Sequence, residues 1–170
     1  MSGVPLQSLV SGQQADHISI HDRGFQYGDG CFETIRVLAN KPILWQQHLS
    51  RLKRACRLLY LEVDFDLLDK DLSQLLETNQ SSDVILKIII TRGEGGRGYA
   101  PGSSSSCTRV LQLSNYQAPT IRKAAKIMLC RHGLSANTML AGIKHLNRLD
   151  QVMASREIPD SFDEGLCLDQ

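Results

Sequence analysis

Val84-Ile85-Leu86-Lys87-Ile88-Ile89-Ile90-Thr91-Arg92-Gly93-Glu94-Gly95-Gly96-Arg97-Gly98-Tyr99 is the run whose reading decides the fold. Apart from Lys87, its first seven residues are apolar and mostly β-branched, which predicts a central strand of a sheet. Gly93, Gly95 and Gly98 then satisfy G-x-G-x-x-G, the pattern by which a strand hands a pyrophosphate to the start of a helix. The next residues exclude that reading. Tyr99-Ala100-Pro101-Gly102 and four serines stand where the helix would have to begin, so a doubly wound dinucleotide fold is rejected. The loop is expected instead to bring Arg97 and open backbone close to an anionic ligand or a partner subunit.

Upstream, two amphipathic helices are expected. Leu49, Leu52, Cys56 and Leu59 form one apolar stripe, with Arg51, Arg54 and Arg57 beside it at three-residue spacing. Taken alone, such arginines read as a solvated face. Asp64 or Asp66 can cap the second helix, which buries Leu67, Leu68, Leu72, Leu75 and Leu76. Before these helices, His17–His21 alternates like a short strand, and the glycine-rich 22–30 segment reads as irregular. Gly28 and Gly30 there require φ > 0 or a close backbone approach. Phe32–Leu38 and Pro42–Trp45 are expected to form a hairpin around Ala39-Asn40-Lys41.

Downstream, Ser103–Ser106 is a short low-complexity turn and Thr108–Ser114 a further strand. Asn115–Pro119 breaks the pattern. The expected organisation is therefore a first domain over 1–114, a linker over 115–119 and the beginning of a second domain over 120–170. In that second part, Ala125–Cys130 reads as a strand, 134–141 as a loop, and 164–170 as the start of another strand. Leu146, Leu149, Val152 and Met153 recur at helical spacing, with Pro159 marking the stop. Lys144 lies at the mouth of that helix among apolar neighbours. Desolvation there would favour the neutral amine, the form that condenses with an aldehyde.

The bulk properties narrow the class. The 170 residues are 42% hydrophobic and 22% charged, as in a globular chain able to bury a core. A net charge of +1 gives no support for a nucleic-acid partner or an electrostatic membrane anchor. Nothing at the N-terminus reads as a signal peptide, and no apolar run is long enough to span a bilayer. Cys31, Cys56, Cys107, Cys130 and Cys167 are scattered, never in Cys-x-x-Cys. That spacing predicts reduced thiols in a cytoplasmic protein and, with five scattered histidines, no metal site.

Four motifs in order carry a resemblance. They are Asp22-Arg23-Gly24 with Tyr27-Gly28-Asp29-Gly30-Cys31-Phe32-Glu33-Thr34-Ile35-Arg36, then His48-Leu49-Ser50-Arg51-Leu52, then Thr91-Arg92-Gly93 with Gly95–Tyr99, and finally Ala141-Gly142-Ile143-Lys144-His145-Leu146-Asn147-Arg148-Leu149. Together they resemble the class IV aminotransferase-like enzymes, the fold-type IV pyridoxal-phosphate family, over nearly the whole chain. The resemblance implies an α+β fold: a small α/β N-terminal domain joined to the start of a larger β-rich domain in which the chain is truncated. It also implies pyridoxal 5′-phosphate as cofactor. Lys144 matches the lysine that holds the cofactor aldehyde, which makes it the catalytic residue. Arg51 matches the arginine that holds the phosphate, a role suited to a guanidinium fork. That resemblance lifts Arg51, and not Arg54 or Arg57, out of the solvated face. Arg97 matches a loop that approaches the site and the subunit interface, and is assigned as a substrate carboxylate contact. The Gly28-Asp29-Gly30 turn is read as architectural, and Glu33 and Arg36 are left unassigned.

The last two motifs are most similar to the branch that cleaves 4-amino-4-deoxychorismate to 4-aminobenzoate and pyruvate in folate biosynthesis. The resemblance thus implies a cytoplasmic, homodimeric lyase acting on that small molecule. Leu149 stands where branched-chain aminotransferases carry a tyrosine, which disfavours that branch. A D-amino-acid or branched-chain type transaminase and a catalytically silent fragment are the alternatives. Glu164 and Asp169 match the strand before the family's pyridine partner and receive no role.

Overall fold

The computed structural model describes residues 6–102, 106–118 and 124–169. It divides into two compact units, one of residues 1–117 with 142–146, the other of 118–141 with 147–170. The segment around Lys144, placed by the sequence in the second part, packs with the first unit.

The first unit is an antiparallel sheet covered on one face by two helices. Its elements are β1 (Gln7–Val10), β2 (Gln13–Gln14), α1 (Arg23–Tyr27), β3 (Gly30–Leu38), β4 (Lys41–Pro42), α2 (Trp45–Leu58), α3 (Phe65–Glu77), β5 (Asp83–Thr91) and β6 (Thr108–Asn115). The strand order is β2-β1-β6-β5-β3-β4, so the apolar run at 84–90 is interior as expected. Strand alternation sends Leu86, Ile88 and Ile90 of β5 to the same face as Ile35 and Val37 of β3 and Leu111 and Leu113 of β6. All seven are at most 1% exposed. Against them lie Leu52, Ala55 and Cys56 of α2 and Leu68, Leu72 and Leu75 of α3. Each of the valine, leucine and isoleucine burials contributes about 1.5–3 kcal/mol. Asp71 of α3 accepts from Arg109 Nε of β6 at 2.8 Å, tying the helix layer to the sheet.

Local chemistry explains where elements start and stop. Asp64, not Asp66, caps α3, accepting from the Asp66 and Leu67 amides at 3.0 Å. Ala39 (φ 49°) and Asn40 (φ 57°) form the two-residue turn between β3 and β4. Expectation and structure differ at several places. Leu67, expected on the buried side of α3, is exposed, because Leu68 takes the core-facing position. The second hairpin strand is only Lys41–Pro42, because Leu44 adopts φ 53° and Trp45 already begins α2. His17–His21 is not a strand, since Ser19 turns the chain by accepting the His21 amide on its hydroxyl and the Asp22 amide on its carbonyl. The glycine-rich segment is not irregular throughout. It contains α1, capped by Asp22 and closed by Gly28 at φ 67°. Strands β1 and β2, too short and polar to stand out, were not expected from the sequence.

Gly30 meets the second of its two readings, close approach. An added Cβ would collide with the Ile90 carbonyl oxygen and stand 2.8 Å from Leu146 Cδ1. Gly30→Ala is therefore expected to destabilise the protein by about 2 kcal/mol. Thermal unfolding checks this, and faster hydrogen exchange at the Leu146 amide, which donates to Gly30 O at 2.9 Å, shows that the 144–146 segment has loosened.

In the second unit, β7 (Ile127–Leu129) and β8 (Glu164–Leu166) pair in parallel, and α4 spans Leu149–Ser155. This helix begins later than its apolar spacing predicts, because residues 144–146 are extended. Leu149, Val152 and Met153 are exposed, and its buried residue is Ala154. The Asp150 carboxylate holds the preceding loop through the Ser135 amide (3.0 Å), and Glu157 accepts from the Arg131 and His132 amides. The serine turn at 103–105 and residue 119 of the expected linker lie outside the described residues. No helix among the described residues is long and apolar enough to cross a membrane.

Candidate active site

The edge of β3 organises the site. Near its C-terminal end that edge is paired by β4. At its N-terminal end it is paired by 144–146, through Phe32 N donating to Lys144 O and Leu146 N donating to Gly30 O, both at 2.9 Å. The turn before Lys144 is held from α2, where Arg54 donates to the Gly142 carbonyl. Gly142 itself is at φ 76°. Arg54 is exposed, as its spacing indicates, but it is not without a partner. It anchors the lysine segment, a contact between residues 88 apart in sequence.

The backbone pairing sets the direction of Lys144. Its Nζ lies 4.4 Å from the centroid of the Phe32 ring, and Lys87 Nζ of β5 lies 5.5 Å from the same centroid. Phe32 belongs to the face of the sheet that the helices leave uncovered. Beside it runs a polar row across four strands, Thr34, Lys87, Gln112 and Ser8, each opposite the next in register. A cavity of about 310 Å³ opens on this face, lined by Val10, Phe25, Ile89, Val110 and Leu146 among others. In the sequence Lys87 stands out only as a polar interruption of an apolar strand. Its period-2 placement opposite Thr34 was the available signal, and that signal requires the strand register.

Arg51 is held from the other side of β3. Its Nε and Nη2 donate to Glu33 Oε1 and Oε2 at 2.6 and 2.5 Å, and Glu33 also engages His48 Nδ1 at 2.8 Å. Glu33 follows Phe32 on β3, so alternation turns it to the helix-covered face, where it is 1% exposed. Burial pushes the Glu33 carboxyl up, and the bonds from Arg51 and His48 outweigh it, so it titrates below its ordinary value. Lys144 and Arg51 thus flank one strand edge from its two sides. Arg97 joins neither group; it is exposed on the glycine loop.

That loop is held by a buried polar knot. Asp22 accepts from the Gly24 amide and from the Thr91 and Thr108 hydroxyls, all at 2.8 Å. Arg23 donates to the Gly98 and Tyr99 carbonyls at 2.9 and 2.7 Å, with its guanidinium 4.8 Å over the Tyr27 ring. Asp29 receives Arg23 Nε at 3.0 Å and both Nε and Nη2 of Arg92 at 2.7 and 3.0 Å. With its carboxylate fully engaged, Asp29 is architectural, as its glycine context indicates. Arg36, the other unassigned residue, pairs with Asp83 at 2.6 Å and stacks on Tyr116, away from Lys144.

The model of the amino-transferase class IV family matches residues 30–170. The aminodeoxychorismate lyase of Vibrio harveyi is 36% identical over 158 residues, which cover 88% of this chain and 56% of that protein. The solved structure of 4-amino-4-deoxychorismate lyase from Pseudomonas aeruginosa is similar with a TM-score of 0.84 and 40% identity, over 95% of this chain and 61% of the other. A hypothetical aminotransferase from Mycobacterium tuberculosis, solved in its PLP-bound form, shares the fold, with a TM-score of 0.70 at 20% identity over 89% and 57% of the two chains. The chain thus spans a little over half the length of these relatives.

Proposed function

This chain belongs to the amino-transferase class IV family, and from that premise we propose that it acts in a pyridoxal-phosphate-dependent lyase that converts 4-amino-4-deoxychorismate to 4-aminobenzoate and pyruvate. The observation that carries the reading is Lys144, pinned by main-chain hydrogen bonds to β3 with its amine over Phe32. Similarity to two lyases at 36% and 40% identity, against 29% for a D-alanine aminotransferase that covers 85% of this chain, favours the lyase over a transaminase.

The donor set fits the cofactor. Lys144 offers a half-buried primary amine for the aldehyde, and Arg51 a guanidinium for the phosphate. When bound, pyridoxal 5′-phosphate supplies an electron-withdrawing ring next to the substrate nitrogen. Lys144 Nζ then has one proton to move, from the ring carbon bearing the amine to the methylene carbon of the departing enolpyruvyl group. The ring C–H bond and the neighbouring ring carbon–oxygen ether bond break, the methylene carbon gains the proton as the enol oxygen becomes the pyruvate carbonyl, and the remaining ring becomes aromatic without a co-reactant. Phe32 walls one side of the amine. Lys87, in its polar row with Thr34 and Gln112, and Arg97 on the exposed loop are the cations proposed for the substrate's carboxylates.

A homodimer and a cytoplasmic location belong to the same reading. Exposed Ile20, Phe25 and Tyr99 support a covered face, and five free cysteines support a reducing compartment. Incubating the protein with pyridoxal 5′-phosphate and 4-amino-4-deoxychorismate tests the central claim. Equimolar 4-aminobenzoate and pyruvate are expected. Amino transfer to an added keto acid without pyruvate release replaces the lyase by a transaminase, and no reaction of either kind overturns activity of this chain.

A further inference from the structure

Glu33 is the one acidic side chain on the buried face of β3, between Cys31 and Ile35 and opposite Ile88. A carboxylate in such surroundings is costly unless its lone pairs are taken up by donors. Here both oxygens are taken, by Arg51 in a fork and by His48. These donors sit three residues apart on α2, so one helix face delivers both.

The fork also decides how Arg51 is presented. A guanidinium carries five N–H groups on a rigid plane. Glu33 occupies the edge made by Nε and Nη2, which leaves the edge made by Nη1 and the second Nη2 proton. The Arg51 side chain is 45% exposed although its partner is 1% exposed, so the unoccupied edge faces outward. Resting on the proposed phosphate role of Arg51, we propose that Glu33 is a positioning residue: it clamps one edge of the Arg51 guanidinium so that the other is presented, already oriented, to the cofactor phosphate. Lysine cannot do this, because an ammonium has no second edge to present.

The test compares pyridoxal 5′-phosphate with pyridoxal, which lacks the phosphate, binding to the full chain. Binding of each ligand is followed by its absorbance on the protein and by the fluorescence of Trp45, the single tryptophan. Glu33→Gln keeps the shape and removes the charge. It is expected to weaken pyridoxal 5′-phosphate by roughly tenfold while pyridoxal affinity stays within about twofold. A merely structural role would weaken both alike, and that result, or no change for either, overturns the proposal. Arg51→Ala is the control for the underlying reading. If it leaves the preference for the phosphorylated ligand intact, the phosphate role of Arg51 fails; if it removes the preference while Glu33→Gln does not, only the positioning role fails. Should Glu33→Gln not fold, Arg51→Lys reads the same point. Loss of the preference despite the retained charge supports an oriented second edge, and full retention overturns it.

Discussion

Replacing Lys144 by alanine is expected to abolish product formation, by about 10³-fold or more, and to leave the protein folded. The two halves of this expectation come from different atoms. The segment is fixed by main-chain groups, Lys144 O and Leu146 N, which alanine retains. Among what is lost is the contact of the amine with Phe32, worth about 1 kcal/mol. Circular dichroism and thermal unfolding should therefore be close to those of the unaltered protein. The absorbance band of lysine-bound pyridoxal should disappear. Lys87→Ala serves as the spectral control. Its Nζ lies near the same ring, but on this reading it does not hold the aldehyde, so the band persists. Turnover by Lys144→Ala within tenfold of the unaltered protein would sink the assignment.

Asp29→Ala should produce the largest loss of stability, about 3 kcal/mol, read as a lowered midpoint in urea. The side chains of Arg23, Arg92 and Asp29 are 4, 15 and 16% exposed, so removing the carboxylate leaves two guanidinium groups without their counter-charge. The loss falls at the low end for breaking a buried pair because both arginines keep carbonyl acceptors, Arg23 those of Gly98 and Tyr99, Arg92 those of Leu59 and Tyr60. The same group contributes a pH dependence. Burial pushes the Asp29 carboxyl up, but the bonds from Arg92 and Arg23 outweigh it and hold it below its ordinary value. A depressed carboxyl stabilises the folded state above its unfolded pKa of about 4. That contribution is lost as the pH falls through the folded value, and Glu33 acts in the same direction. Asp29→Asn should accordingly flatten the fall in stability below about pH 4. An unchanged acid limb would show that Asp29 does not titrate with folding.

Much of the fold was open to reading because it rests on local rules. The apolar run at 84–90, the leucine spacing of α3 and its Asp64 cap each specify their own conformation within a few residues. Elsewhere a local signal is hidden by its neighbours, or the deciding contact is distant in sequence. The cap and stop of α1, Asp22 and Gly28, were present and were masked by the glycines around them. The late start of α4 could not be seen, because Leu146 continues the helical spacing while its amide is committed to Gly30 on another strand.

The candidate site divides along the same line. Sequence by itself determined that a lysine follows a glycine turn at 142–144, that an arginine stands on the face of α2 and that the four motifs occur in one family's order. Tertiary structure alone decided which groups those residues meet. Lys144 stands over Phe32 because backbone pairing brings positions 32 and 144 together; Arg51 is clamped by Glu33 from 18 residues away, and Arg54 reaches Gly142 across 88. Periodicity states which face of an element is apolar, but not which strand edge is open to a returning segment. That choice is made only when the sheet has its register.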